Sequence, residues 1–495
     1  MVENLFEMEF GMFSQDIINN FVSPDGTNQI EIDILVRQFS AQLFDFLTNS
    51  TELSPLPELN KIDQTFSQIP ISGQSIQEIQ DKLEKVYQLS MNAANPRYLG
   101  HMDSIPSIYS ILGDYIASAL NNNMLSLEMS PLLTQLENNL MIQFASLFGL
   151  PNGSGGVMLS GGTLANLQAL VVARNNKLKI KDGNVYSLSQ QPVVFTSEVA
   201  HVSVTKSCML MGIGSSNVIK VKSNQNAQMC IDDLILKIDE QIKLGNAPFA
   251  IVATAGTTIT GSIDPLNEVA NIAKRFNLWF HVDAIYGGAL IFSVEHKHLI
   301  NGIELADSIS FNPQKWLYVA KTCSMVLFRD FSGMVNNFRI TAPYMKDQED
   351  FINLGEITVQ GSKYAEVLKL WLSLLGLGVR GYEQLILHCY VLRDIFVAKI
   401  ASRKWLELAA NPDTNVICFR VISLDADQCD RLNEELQIYL LRQCGFFVSL
   451  PKFRGQNWLR VVMINPFTSP EIIDELFTKI DCFLAQFKLK LGAEK

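Results

Sequence analysis

Between residues 91 and 370, short apolar runs alternate with longer segments of helical character, and this alternation leaves few architectures open. The runs at 156–159, 193–196, 218–221, 250–255, 278–284 and 323–328 read as strands. Segments after Thr163 as far as Arg174, and over 264–276, read as helices. Strands that alternate with helices require an α/β fold with a mostly parallel sheet covered on both faces.

The flanks read differently. Residues 1–90 look like a helical N-terminal region with a Pro-rich link, SPLPELNK (54–61). Ser75 and Glu78 have the spacing of a capping box opening a helix that runs to about Leu89. After Gly381 a helix is expected over 382–402, strands at 416–421 and 458–463, and a final helix from about Pro470. The expected division is a helical region (1–90), a large α/β domain (91–375) and a small α+β domain (376–495).

Composition narrows the function classes. Of 495 residues, 48% are hydrophobic and 18% charged, which is a chain that folds rather than a disordered one. The net charge of −11, without a run of Lys and Arg, argues against nucleic-acid binding. The start, MVENLFEMEFGMF, is acidic where a secretory signal is basic, and apolar stretches such as 370–379 are too short to span a bilayer. Eight cysteines without a C-x-x-C pair read as reduced thiols. A cytoplasmic protein with no membrane partner is expected.

Three short motifs carry chemistry. Ser160-Gly161-Gly162-Thr163 lies between a strand and a helix, where unpaired N–H groups and the helix dipole favour an anion such as phosphate. It lacks the Walker lysine and the G-x-G-x-x-G spacing, and alone it equally suits a capped tight turn. In FHVDAIYGG (280–288), Asp283 ends a buried strand, where a carboxylate is costly without a cationic partner; a protonated pyridine nitrogen is one. In SFNPQKWL (310–317), Lys315 stands among apolar residues that lower an amine's pKa and suit it to condense with an aldehyde. Most lysines bury only their stems, so this pair of neighbours decides nothing alone. Together and in this order, with 32 positions from Asp283 to Lys315, the three supply what pyridoxal 5'-phosphate needs.

With these motifs, NPRYLGH (95–101), NNNMLSLEMSPLLTQLE (121–137), GVMLSGGTLANLQAL (156–170) and VATAGTTITGSIDPL (252–266), the sequence resembles the group II pyridoxal-phosphate decarboxylases. That family includes glutamate, aspartate, 2,4-diaminobutyrate, histidine and aromatic-amino-acid decarboxylases. The resemblance implies the fold type I, aspartate-aminotransferase-like architecture with a seven-stranded type of sheet. It also implies decarboxylation of an L-amino acid to its amine, and a homodimer with active sites at the subunit interface. It makes Lys315 the Schiff-base lysine and Asp283 the partner of the pyridine nitrogen. Gly162 and Thr163 would bind the phosphate with Asn312 close by. His201 would stack on the ring, Thr258 would lie beside it, and His101 and Ser104 would contact substrate. Tyr344, in FRITAPYMKD (338–347), matches the loop tyrosine that returns a proton after carbon dioxide leaves; relatives that form aldehydes carry phenylalanine there.

Two positions depart from the family pattern: Gln314 stands where histidine is usual, and Ile285 where alanine is. The first removes a titratable group and the second narrows the pocket or tilts the ring. Other pyridoxal-phosphate reactions stay open at this point, since fold does not fix chemistry. Arg460, in NWLRVVMINP, keeps a transaminase open; a carbon–carbon lyase and a non-catalytic homologue are further alternatives. Acidic, diamino and aromatic substrates are all compatible with the sequence.

Overall fold

A computed structural model describes residues 17, 19–58, 61–180, 184–341, 343, 351–422 and 426–493, with side chains at all of these except 426, 427 and 487–493. The chain divides into two units, Met1–Asn95 and Pro96–Lys495.

In the first unit, helices Gln29–Thr48 and Ile76–Gln88 meet through stacked rings of Phe46 and Tyr87, 5.4 Å between centroids. The second helix opens on the expected capping box: Ser75 Oγ accepts from the Glu78 N–H, and Glu78 accepts from the Ser75 N–H. Asn92 and Asn95 donate their amides to the Ser50 carbonyl, at 2.7 and 3.2 Å.

The second unit is built on a seven-stranded sheet in the order β1-β7-β6-β5-β4-β2-β3. Its strands are β1 (Gly155–Leu159), β2 (Pro192–Ser197), β3 (Val218–Val221), β4 (Ala247–Thr254), β5 (Trp279–Asp283), β6 (Ser308–Phe311) and β7 (Ser324–Phe328). Strands β6, β5, β4, β2 and β3 run parallel, while β7 lies antiparallel between β1 and β6. Every residue of β1, β2, β5, β6 and β7 is buried, as a sheet covered on both faces requires. Helix Leu266–Arg275 shows how the covering works: Leu266, Val269, Ala270, Ile272 and Ala273 recur at helical spacing and are buried.

Strand β6 is absent from the sequence-based expectation. Its sequence, SISF, places Ser308 and Ser310 among apolar residues, and both hydroxyls are consumed by buried polar partners described below. The helix expected over 382–402 follows a kink: within Glu366–Ala401 the backbone leaves helical geometry at Gly378, where φ is 62°, so two helices meet there. A glycine adopts that angle without strain and lets the chain change direction between them. Beyond it, strands Leu406–Leu408, Val416–Val421 and Leu459–Val462 form a three-stranded antiparallel sheet with its own buried cluster around Phe396, Phe419, Leu436 and Phe477.

Strands that run parallel present their carboxyl ends on one side, where α/β proteins bind ligands. Leu159, Thr254, Asp283 and Phe311 terminate β1, β4, β5 and β6 there, and the segment bearing His201 leaves β2 on the same side.

Candidate active site

At these strand ends lies a cavity of about 200 Å³. Seven residues expected from the sequence line it: Gly162, Thr163, His201, Thr258, Asp283, Asn312 and Lys315. Thr254, Gly256, Ile285 and Tyr286 complete the wall.

At one end, helix Gly162–Leu178 starts after Gly161, whose φ of 121° is open to glycine alone. No side chain caps this helix, and the N–H groups of Gly162 and Thr163 have no acceptor among the described residues. They face an anion's natural position at the positive end of the helix. A Cβ at Gly162 would meet Ile285 Cδ1 and reach within 3.2 Å of Asn312 Nδ2, so a larger residue here would require the Ile285 side chain to move. Ile285 thus fills the space beside the cradle, as its branched side chain suggests. Ser160 takes no part: its hydroxyl donates to Glu366 at 2.6 Å and its N–H to Gln360 Oε1 at 3.0 Å.

Across the cavity, Asp283 is 3% exposed. Among the described residues its carboxylate accepts from Asn166 Nδ2 at 2.9 Å and from the Ile285 N–H at 3.2 Å, both neutral donors. A buried carboxylate without a cation is costly, so the site is shaped for a positively charged group from outside the chain. An anion cradle, an unpaired buried carboxylate and an amine in one cavity fit pyridoxal phosphate, with its phosphate, ring nitrogen and aldehyde.

Two residues before Asp283, His281 is fully buried, and burial pushes its pKa down to about 4 from an ordinary 6.5. The unfolded chain therefore takes up a proton near pH 6.5 that the folded one refuses until about pH 4. His281 contributes stability above pH 6.5 that is lost as pH falls through that window, about 3 kcal/mol in total. In His281→Gln the midpoint of thermal unfolding should fall less steeply between pH 6.5 and 4.5 than in the parent, by calorimetry. Parallel slopes would remove this histidine from the acid response.

Lys315 follows β6 on a loop held from several sides. The Ser104 hydroxyl donates to the Lys315 carbonyl at 2.7 Å, the Ser107 N–H to the Tyr318 carbonyl at 2.7 Å, and the Ala320 N–H to Ser110 Oγ at 2.6 Å. Gln314 accepts from the Cys323 N–H, so the residue that replaces histidine closes the loop on itself. The Lys315 Nζ lies 4.0 Å from Met102 Sδ and 6.0 Å from the centre of the Tyr286 ring. Burial lowers its pKa; Asp283 and Asp103 oppose that shift, and Arg460 and Lys321 add to it. Such an amine is available unprotonated to attack an aldehyde.

His101 and Ser104 stand apart from the cavity wall. Main-chain bonds of Leu99 with Phe447 and Val462, at 2.9 and 2.7 Å, carry His101 to Arg460, whose Nη2 lies 3.1 Å from His101 Nδ1. Burial, then Arg460, lowers the His101 pKa. Ser104 meets the backbone of Lys315 rather than the cavity. His201 sits at the exposed rim, accepting at Nδ1 from the Ser203 N–H at 3.2 Å; loss of solvation lowers its pKa and Asp283 opposes this. Tyr344 lies outside the described residues.

Two residues of the site have roles that the sequence did not assign to them. Asn166 is a polar residue in a helix whose surroundings read as core, and only its fully buried position singles it out. Arg460 is 7% exposed and donates to the Thr258 and Gly100 carbonyls at 2.6 and 2.9 Å. Its Nε has no partner and no carboxylate pairs with it among the described residues.

Comparison with known proteins agrees with this geometry. The sequence model of the pyridoxal-dependent decarboxylase conserved domain matches residues 55–422. The chain is 31% identical to an aspartate 1-decarboxylase of Aliivibrio fischeri over 92% of its length and 91% of that protein. It is 30% identical to a cysteine sulfinic acid decarboxylase of Mus musculus over 83% of its length and 86% of the relative. The crystal structure of mouse CSAD superposes with a TM-score of 0.86 at 26% identity, covering 92% of this chain and 98% of that one. Family match, relatives and fold agree, and the chain belongs to the pyridoxal-dependent decarboxylases as a pyridoxal-phosphate enzyme that decarboxylates an amino acid.

Proposed function

We propose that this enzyme removes the α-carboxylate of an L-amino acid whose side chain ends in a second acidic group. The observation that carries this is Arg460, a buried guanidinium held by neutral acceptors and lacking an anionic partner among the described residues. Such a cation is costly to maintain unless a ligand supplies the anion. Arg460 suits the carboxylate that stays: pairing the leaving one would stabilise the ground state and oppose its loss as neutral carbon dioxide. The relatives named for aspartate and cysteine sulfinic acid both act on substrates of this kind. Asp103 could favour a cationic side chain instead, but it is already paired with Lys321.

Lys315 would hold the cofactor by its aldehyde carbon. Gly162 and Thr163 bind the phosphate through their N–H groups, with Asn312 alongside. Asp283 holds a proton on the ring nitrogen, and His201 covers the ring from the rim near Thr258. When bound, pyridoxal phosphate supplies an electron sink for the pair left on the α-carbon. Tyr344 returns the proton to that carbon. His101 orients Arg460 toward substrate, and Ser104 fixes the loop of Lys315. In this reading residues 91–375 form the cofactor domain, and residues 376–495 form the small domain that contributes Arg460.

We propose further that the enzyme is a cytoplasmic homodimer. Along helix Ile108–Leu120, the side chains of Ile108, Tyr109, Leu112, Tyr115, Ile116 and Leu120 are all at least 40% exposed, an apolar stripe suited to a second copy. The eight cysteines stand as free thiols, and no helix among the described residues is long and apolar enough to cross a membrane.

The test is a substrate panel: holoenzyme is incubated with each common amino acid and cysteine sulfinate, and amines are identified by mass spectrometry. Amines from acidic amino acids are expected. In Arg460→Met the KM for the acidic substrate should rise about a hundredfold with kcat changed less than about tenfold, the cost of leaving a charge unpaired. An unchanged KM, or a parent that turns over only aromatic or diamino acids, would end this assignment.

A further inference from the structure

Behind Asp283 a line of buried hydrogen bonds runs through the sheet. Trp279 Nε1 donates to Ser308 Oγ at 2.8 Å, and Ser308 Oγ lies 2.9 Å from His281 Nδ1. His281 Nε2 lies 3.0 Å from Asn166 Oδ1, which also accepts from Ser310 Oγ at 2.6 Å. Asn166 Nδ2 donates to Asp283 Oδ2 and to Ser203 Oγ, both at 2.9 Å. Trp279 is 8% exposed, Asp283 is 3%, and the other members are within 1% of fully buried.

Chemistry fixes the direction of every link. A carboxylate only accepts, so the nitrogen of Asn166 must face Asp283 and its oxygen must face His281. His281 then carries a hydrogen on Nε2 and, with the ring neutral, accepts at Nδ1 from the Ser308 hydroxyl at 2.9 Å, the Ser308 carbonyl lying farther from the same nitrogen at 3.2 Å. Its pKa of about 4 keeps the ring neutral at physiological pH. Turning the Asn166 amide over would set oxygen against carboxylate and N–H against N–H. The donors from Trp279 through Ser308, His281 and Asn166 lead toward Asp283, Asn166 donating also to Ser203, and Asp283 lines the cavity.

Asn166 also joins three parts of the site. It lies in the first turns of helix Gly162–Leu178, whose start is the anion cradle. It holds Asp283, and through Ser203 it reaches the segment whose N–H bonds His201. We propose that Asn166 is a positioning residue that sets the Asp283 carboxylate at a fixed distance from the phosphate cradle and keeps it aimed at the ring nitrogen. This rests on the role given to Asp283 above.

The experiment measures pyridoxal 5'-phosphate binding by equilibrium dialysis, and the absorption of the bound cofactor as a function of pH, in four variants. Asn166→Asp places a second carboxylate against Asp283, and Asn166→Ala removes its donor. Each should weaken cofactor binding about tenfold or more and displace the pH dependence of the absorption, as loss of a hydrogen bond to a charged group does. Ser310→Ala removes one of two donors that hold the amide and should act in the same direction, about threefold. Val172→Ala, buried on the same helix and outside the line of bonds, should lower thermal stability and leave both readouts alone. Parental binding and spectra in both Asn166 variants would overturn the proposal. If those variants do not fold, Ser310→Ala decides, and an unchanged dissociation constant and spectrum there overturns it. Asp283→Asn separates the two readings: if it shifts the spectrum while the Asn166 variants do not, only this inference fails. If it shifts nothing, the role of Asp283 fails first.

Discussion

Lys315→Ala should lower decarboxylation by about a thousandfold or more while the protein keeps its fold. The main chain of the loop that bears this residue is held by the Ser104 and Ser110 hydroxyls and the Ser107 N–H and closed by Gln314, none of which needs the lysine side chain. Truncation therefore removes an amine and little structure. Two losses combine. The covalent tether that places the aldehyde carbon disappears, and so does the base nearest the substrate amine. Lys315→Arg makes the test sharper, because it restores positive charge yet cannot condense with an aldehyde under these conditions. Both variants should be inactive by amine detection and should lack the visible absorption of parent protein supplied with pyridoxal phosphate. Activity in either variant within tenfold of the parent would refute the assignment. Recovery in Lys315→Arg alone would show that charge rather than covalency matters.

Much of this was legible in the sequence because the residues concerned act locally. Asp283 closes the apolar run of β5, and Lys315 stands out as a lysine among apolar neighbours in SFNPQKWL. The glycines of 160–163 announce the start of a helix without a cap. Strand β6 was illegible for a specific reason: Ser308 and Ser310 break its apolar run, and they do so because Trp279, His281 and Asn166 need hydroxyl partners that lie 27 to 29 positions away for Ser308 and 144 for Ser310. Arg460 shows the same limit. In sequence it suggested a transaminase clamp; in the fold it is set by Gly100, His101 and Thr258, from segments more than 200 positions away. Ser104 has a partner in the backbone of Lys315, which no side-chain pattern encodes. Short-range patterning thus revealed the groups that meet the cofactor, whereas the groups that aim them depend on tertiary contacts.

Asp283→Asn is the second large effect, a loss of about a thousandfold in kcat with substrate binding changed far less. The substitution conserves shape, so the cause is charge and hydrogen count. In the parent, Asp283 accepts from Asn166 and Ile285 on its protein side. An asparagine amide can satisfy Asn166 only by turning its oxygen toward Nδ2. Its own NH2 then faces the Ile285 N–H and the cavity, presenting a donor where a protonated ring nitrogen needs an acceptor. The ring proton loses its anion in a dry site where that anion has few competitors. Two further results follow from this cause and from no merely structural one. The absorption of the bound cofactor should change its pH dependence, and the kcat deficit should narrow toward acid pH as solvent supplies the proton that the side chain no longer holds. Asp283→Glu offers a control: it keeps the charge but must reach past the space that Asn166 fixes, so it should recover part of the rate. A deficit that stays constant across pH, with Asp283→Glu no better than Asp283→Asn, would mean that the carboxylate supports the fold and leaves the ring proton to something else.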